Sequence, residues 1–384
     1  MRLRKDSDYD NPALLPDDNR QEDPDDPTRA KRNVLRNVLG VRAIKHVCMD
    51  VMHNLDLGAS PQFLELAWAK LSPEDRKEGD RRMEVVRGFQ PTEFQRRARA
   101  VEQRGRWKAT EFKNFTLYYG FSVLSNLVSA KEFNNFLRPS YAIRILMREE
   151  MKAWWPKVDK ILIRDFLQQL VEMHGETSMS MKMHSLSHLV ANCFDHGPVY
   201  KNSSYEFENS IRLFKNLCHN HIIPAKQIFT RTMEIWELKK QKNALAKHQL
   251  KFKIFGQHLR RADIKKVRFR GTYYGVARKD AFFAHHDGKE LRYYMITEIR
   301  ASGQSAKHIT FKTRKLASLK TYVEPLKSEL LDIFLWKDKT FEEGIFELKI
   351  RDFLFKLCVL PVETVGMRMF VTLPMSQIVW NNEF

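Results

Sequence analysis

From about Gly58 to Leu250 the sequence carries helical periodicity almost without a break, and from about Lys265 it shifts to the two-residue rhythm of strands. That order, helices first and strands after, points to an α+β architecture rather than to alternating parallel units. Pro61 opens one helix, at a position where its missing N–H costs nothing. Ser72-Pro73-Glu74-Asp75 starts the next, with Ser72 as N-cap and acids in the first turn. Further helices are expected near 107–127, 131–150, 157–174, 180–195, 205–219 and 224–250. Phe112, Phe115, Leu117, Tyr118 and Phe121 recur at the mixed spacing of a buried helical stripe, and core packing explains them. The runs 267–274 and 291–296 read as strands, with a turn at His286-Asp287-Gly288-Lys289. The runs 346–350, 355–360 and 369–373 continue the strand content, and no internal repeat is evident.

The ends of the helical stretch set the expected organisation. Residues 1–33 gather Asp17, Asp18, Asp23, Asp25 and Asp26 around Pro16, Pro24 and Pro27 and read as a disordered tail. The apolar run 43–49 reads as a buried strand ending at Asp50. The expected division is thus a tail at 1–33, a core at 34–250 with helices at about 60–200, and a β-rich domain at 251–384. Cys48, Cys193, Cys218 and Cys358 form no C-x-x-C pair, which argues against a disulfide scaffold or zinc ribbon and for a reducing compartment. No signal-peptide pattern follows Met1, and no apolar run reaches membrane-span length, so nucleus or cytosol is expected rather than secretion or a membrane. The net charge of +19 favours a polyanionic partner, with nucleic acid first and an acidic membrane surface second.

Three clusters have the residue types for chemistry. Asp50-x-x-His53 follows the expected strand, where a carboxylate suits a divalent cation; on spacing alone a helix-capping Asp beside a surface His is the stronger explanation. His184 and His188, four apart, share a helix face, but no Glu follows the first as a zinc-protease motif needs. Tyr205-Glu206-Phe207-Glu208-Asn209 opens an amphipathic helix, where acids suit the helix dipole and one of them could also be a metal ligand.

The stretch Cys48–Trp68, with Asp50-x-Met52-His53 and then Leu57-Gly58, resembles the signature of transposase-derived animal proteins akin to the CACTA (En/Spm-like) DDE transposases. Pro91-Thr92-Glu93-Phe94, Arg106-Trp107-Lys108-Ala109-Thr110-Glu111-Phe112, Tyr141-Ala142-Ile143-Arg144, His184-x-x-x-His188-Leu189, Gly197-Pro198 and Glu206-Phe207-Glu208-Asn209 follow in the family's order, over roughly 40–240. The resemblance implies a partial RNase H-like core with a long helical insertion at about 60–200, followed by the small β-rich domain. It implies two Asp and one Glu holding Mg²⁺ or Mn²⁺ for phosphoryl transfer. Asp50 corresponds to the second acid, His53 to its companion and Glu208 to the final acid, with Asp50 and Glu208 as metal ligands; Glu206, His184 and His188 are weaker candidates. The first Asp belongs on an earlier strand, where this sequence offers only Asp6, Asp8 and Asp10 without apolar context. The chain is therefore expected to be a domesticated or truncated relative without activity of its own.

Two basic tracts are candidate DNA contacts. One holds Arg81, Arg82, Arg87, Arg96, Arg97, Arg99, Arg104, Arg106 and Lys108; the other runs from Lys239 to Arg270 and includes Lys251, Lys253, Arg260, Arg261, Lys265 and Lys266. No helix-turn-helix or zinc-finger spacing supports base readout. The expected partner is DNA, bound through its phosphates with weak sequence preference, and self-association is left open. A solvated helix face or an import patch explains the same charges. A protein-interaction scaffold and a metal-dependent nuclease with a rearranged site are the competing functions.

Overall fold

The computed structural model describes residues 46, 48–201, 203–220, 222–245, 252–255, 264–288, 290–301, 309–364 and 367–375. The expected tail at 1–33, and most of the strand expected at 43–49, lie outside them. The described end of that run, Cys48–Asp50, is not a strand: it is irregular, half-buried chain leading directly into a helix.

That helix begins with a π-helical stretch, Met52–Ala59, and continues as α1 (Ser60–Ala69). Gly58 explains how the wide turn is accommodated. A Cβ there would stand 2.7 Å from the carbonyl oxygen of His53, which only glycine avoids. α2 (Pro73–Phe89) starts as its sequence demands, with the Ser72 hydroxyl accepting from Asp75 N at 3.1 Å. The helix expected at 107–127 is segmented into α3 (Ala109–Asn114), a π stretch (Phe115–Tyr119) and α4 (Gly120–Val123). Next come α5 (Ala130–Leu146), α6 (Trp155–Val158) and α7 (Asp165–His174). The short α8 (Met181–Ser185) and α9 (Leu189–His196) are followed by α10 (Tyr205–Leu217) and α11 (Pro224–Leu245).

Ten strands follow among the described residues: β1 (Phe252–Phe255), β2 (Lys266–Phe269), β3 (Thr272–Gly275), β4 (Phe282–Asp287), β5 (Glu290–Ala301), β6 (Ile309–Lys315), β7 (Phe334–Lys337), β8 (Phe346–Lys349), β9 (Phe355–Thr364) and β10 (Met367–Pro374). β1-β2-β3 form a small sheet, and the other seven pair in the order β7-β10-β9-β4-β5-β6-β8. All the described pairings are antiparallel. The architecture is α+β, with a helical body first and antiparallel sheets after it.

The larger sheet separates two cores. Strand side chains alternate between faces, and β9 and β10 show the consequence. Cys358, Leu360, Val362, Met369, Val371 and Leu373 join the helical core around Trp68, Phe121, Tyr141 and Trp155. Leu357, Val359 and Phe370 face the other way, into a second core with Phe283, Tyr294, Phe311 and Trp336. Each such side chain contributes about 1.5–3 kcal/mol when fully buried. The helical body and the β region therefore share a core across the 250/251 division that composition suggests. The buried Arg144 adds a polar tie, donating to Pro374 O at 3.0 Å and to Leu117 O.

Candidate functional site

Asp50, His53 and Glu208 come together although 155 positions separate the last two from each other in sequence order, His53 and Glu208. Asp50 stands at the start of the first helix, where its Oδ1 accepts from Met52 N at 3.1 Å and its Oδ2 from His53 N at 3.3 Å. This is capping geometry: the carboxylate satisfies N–H groups that have no partner within the helix. Oδ1 also accepts from Ser204 N at 2.8 Å, which latches the entry of α10. Oδ2 contacts the His53 ring at Nδ1, and His53 Nε2 lies 3.4 Å from Glu208 Oε1.

Burial pushes the Asp50 carboxyl up, but hydrogen bonds from Ser204, His53 and Met52 outweigh it and hold it below its ordinary value. An ionised Asp50 accepts only, so a hydrogen bond between it and the ring needs the proton on His53 Nδ1. A carboxylate has about four acceptor positions, and the two Met52 and Ser204 amides, the His53 amide and the His53 ring engage them. As placed, Asp50 is a saturated cap and latch. Among the described residues no group of three or more His, Cys, Asp or Glu side chains is arranged to hold a metal ion. The acceptor positions of Asp50 do not fit a Mg²⁺ or Mn²⁺ ligand without rearrangement.

Glu206 sits exposed on the first turn of α10, where its charge complements the helix N-terminus. His184 and His188 face each other with Nε2 atoms 3.4 Å apart, but a tight 3₁₀ turn, Leu186–His188, interrupts the helix between them. Burial, and then the neighbouring His184, lowers the pKa of His188.

Beneath Asp50 lies a buried polar cluster absent from the sequence-based candidates. Asp56 is 1% exposed and accepts from Tyr200 Oη at 2.9 Å and Tyr205 Oη at 2.8 Å. Lys113, itself buried, holds its ammonium 3.7 Å from the centre of the Tyr200 ring. Burial drives the Asp56 carboxyl up to about 7, against the opposing pull of Lys113. Burial likewise drives the Lys113 ammonium down to about 8, against Asp56. The signal was present in the spacing. Met52, Leu55 and Ala59 form a buried i, i+3, i+7 face on which Asp56 falls at i+4; Lys113 falls likewise among Ala109, Phe112 and Thr116. Because Tyr205 opens α10, this cluster and Asp50 together seat the helix that presents Glu208.

The first basic tract divides in two. Arg81 and Arg82 pair with Glu78, Arg87 with Glu84, Arg104 with Glu65, and Arg99 with Glu111 through two 2.7 Å contacts. The charges of these arginines are matched by carboxylates within the fold, and Arg99 keeps its side chain 34% exposed beside Glu111. Arg96, Arg97, Arg106 and Lys108 are exposed and outside the described ion pairs. In the second tract, Lys265 is exposed and Lys266 half-buried. Lys251, Arg260 and Arg261 lie outside the described residues; Lys253 stands opposite Arg268 in the β1–β2 register, its side chain outside the description.

Glu93 ties the loop that leads to Arg96 and Arg97 to the β2–β3 hairpin. Glu93 Oε1 accepts from Tyr273 N on β3 at 2.8 Å, and both Glu93 oxygens accept from the buried Lys356 ammonium at 2.9 and 2.8 Å. Arg96 and Arg97 follow Glu93 by three and four residues, so their backbone lies within about 11–14 Å of it. No protein-family model, curated protein or solved structure matches the chain. No helix among the described residues is long and apolar enough to cross a membrane.

Proposed function

We propose that the chain is a DNA-binding protein of transposase ancestry, whose helical body corresponds to the insertion of an RNase H-like DDE enzyme and which cleaves no DNA by itself. The observation that carries this reading is the meeting of Asp50, His53 and Glu208 from opposite ends of the helical body. Ancestry and present activity separate at Asp50, whose acceptor positions are engaged in capping and latching. DNA binding is supported by the exposed cations of the Arg96–Arg97 loop and their tie, through Glu93, to the basic β2–β3 hairpin.

Each phosphate neutralised releases a condensed counterion. If Arg96, Arg97, Arg106 and Lys108 all reach phosphates, a duplex should show a log affinity against log salt slope of about −3 to −4. Replacing Arg96 and Arg97 by alanine should make that slope shallower by about 2. A salt-insensitive affinity, or an unchanged slope in the double variant, contradicts the reading. Incubation of supercoiled DNA with Mg²⁺ or Mn²⁺ should leave it uncut; nicking that disappears in Asp50→Ala would establish the nuclease instead.

A protein-interaction scaffold is the second reading, and α10 favours it. Phe207, Ile211 and Phe214, spaced i, i+4, i+7, form an apolar stripe that is 69%, 53% and 40% exposed. A chain that retains no DNA affinity at low salt would leave this reading in place.

A further inference from the structure

We infer that the outer face of the β1–β2–β3 sheet is a platform for an unpaired nucleic-acid strand, with one base stacking on Tyr273; this rests on the DNA-binding reading above and specifies the form of the ligand. The small sheet has two unlike faces. Val267 and Tyr274, paired across β2 and β3, are 0% and 6% exposed and pack into the second core. The alternate positions carry Lys266, Arg268 and Tyr273, with Arg268 directly opposite Tyr273. The Lys266 ammonium stands 4.8 Å and the Arg268 guanidinium 5.4 Å from the centre of the Tyr273 ring. An aromatic ring beside cations is the combination that binds single strands, because every base has a face to stack and every nucleotide a phosphate to neutralise.

The hairpin tip adds a second observation. Phe269 pairs with Thr272, so the turn is the two residues Arg270 and Gly271, both at positive φ (48° and 83°). This turn type favours Asn-Gly, and a side chain such as arginine is disfavoured in the left-handed region. The tip therefore holds an exposed cation at a conformationally costly position. The Glu93 contact to Tyr273 N fixes the platform against the Arg96–Arg97 loop, so a strand leaving the sheet meets further positive charge. A duplex exposes phosphates and groove edges but not base faces; it would use the cations and leave the ring idle. In the bound state Lys266 and Arg268 move from the ring to the phosphates on either side of the stacked base.

The test is fluorescence anisotropy of a labelled dT15 oligonucleotide and a 15-base-pair duplex, with the full chain at one salt concentration. Tyr273→Ala should weaken dT15 binding about five- to a hundredfold, the effect of losing one base–aromatic stack, and change duplex binding less than about twofold. Tyr273→Phe should retain dT15 affinity within about twofold, since it keeps the ring, and Arg268→Ala should weaken both ligands. Thermal melting of each variant identifies a folding defect; if Tyr273→Ala unfolds, Tyr273→Leu, which removes the ring but keeps apolar bulk, carries the same comparison between the two ligands. Equal weakening of both ligands by Tyr273→Ala, or of neither, overturns the platform. Binding of the duplex with no dT15 binding overturns it while leaving the DNA-binding reading intact; no binding of either overturns both.

Discussion

Replacing Lys113 with methionine is expected to cost about 3–5 kcal/mol of stability at neutral pH, the usual consequence of removing one partner from a buried charged pair. Asp56 is 1% exposed, and Lys113 is the cation that opposes its burial. Without it, the carboxyl of Asp56 is driven further above about 7, and folding must recruit a proton that the unfolded chain, with an ordinary carboxyl near 3.9, does not hold. A folded-state pKa raised above the unfolded one stabilises fully only below the unfolded value and loses that stabilisation as pH rises. Since the wild-type carboxyl already stands at about 7, both proteins take up this proton on folding below that pH, and the defect of Lys113→Met should deepen only above it, so that it is larger at pH 8 than at pH 5, by up to about 1.4 kcal/mol per pH unit beyond pH 7. The double variant Asp56→Asn, Lys113→Met removes both charges, keeps an acceptor for Tyr200 and Tyr205, and should recover most of the loss. Denaturant unfolding at the two pH values checks this; a loss below about 1 kcal/mol, or one independent of pH, would show that Lys113 does not compensate Asp56. Since Tyr205 opens α10, the same variant should also loosen the helix that brings Glu208 to His53.

What the sequence made legible is mostly what short-range rules govern. Ser72 caps α2 because Asp75 N three residues on needs an acceptor, and the β4–β5 hairpin turns at Gly288 because its φ is +66°. Asp50, His53 and Glu208 were brought together by resemblance alone, since no local rule spans that separation. Long-range geometry was less accessible. The apolar run before Asp50 fits a strand by composition, yet at its described end the chain is already committed to capping a helix. Charge tracts mislead in the same way. A row of arginines gives no sign that Arg82 will be buried against Val123 O and Ser125 O, or that Arg99 will clamp Glu111, because the partners lie on other elements. The shared core was hidden for a related reason: β9 and β10 alternate like strands of a separate domain, and only the fold shows that one of their faces belongs to the helices.

Lys356→Met is expected to be as damaging, at about 3–5 kcal/mol, and to weaken DNA binding without removing any surface cation. Lys356 is buried on the helix-facing side of β9, and its ammonium donates to Glu93 Oε1, Glu93 Oε2 and Asp280 Oδ1 at 2.9, 2.8 and 2.7 Å. Asp280 is 1% exposed and accepts from Thr92 N at 3.1 Å and from the Thr92 hydroxyl at 2.6 Å. The loop after α2 is thus fastened to the sheet by one cation between two carboxylates. Burial pushes Asp280 up, but Lys356 and Thr92 outweigh it and hold it below its ordinary value. A carboxyl lowered in this way stabilises the fold above its unfolded pKa and loses that stabilisation as pH falls through the folded one. The wild-type contribution is therefore intact at neutral pH and disappears below about pH 4. In Lys356→Met the two carboxylates face each other unneutralised, which protonation relieves, so the gap to wild type should narrow from pH 7 to pH 5. Adding Asp280→Asn should restore part of the lost stability, a coupling that a double-mutant cycle measures. Because Arg96 and Arg97 follow Glu93, whose contact to Tyr273 belongs to this fastening, the folded variant should bind duplex with a shallower salt slope. An unchanged slope beside the expected stability loss would mean that the loop keeps its place without Lys356 and that Glu93 holds it through Tyr273 alone.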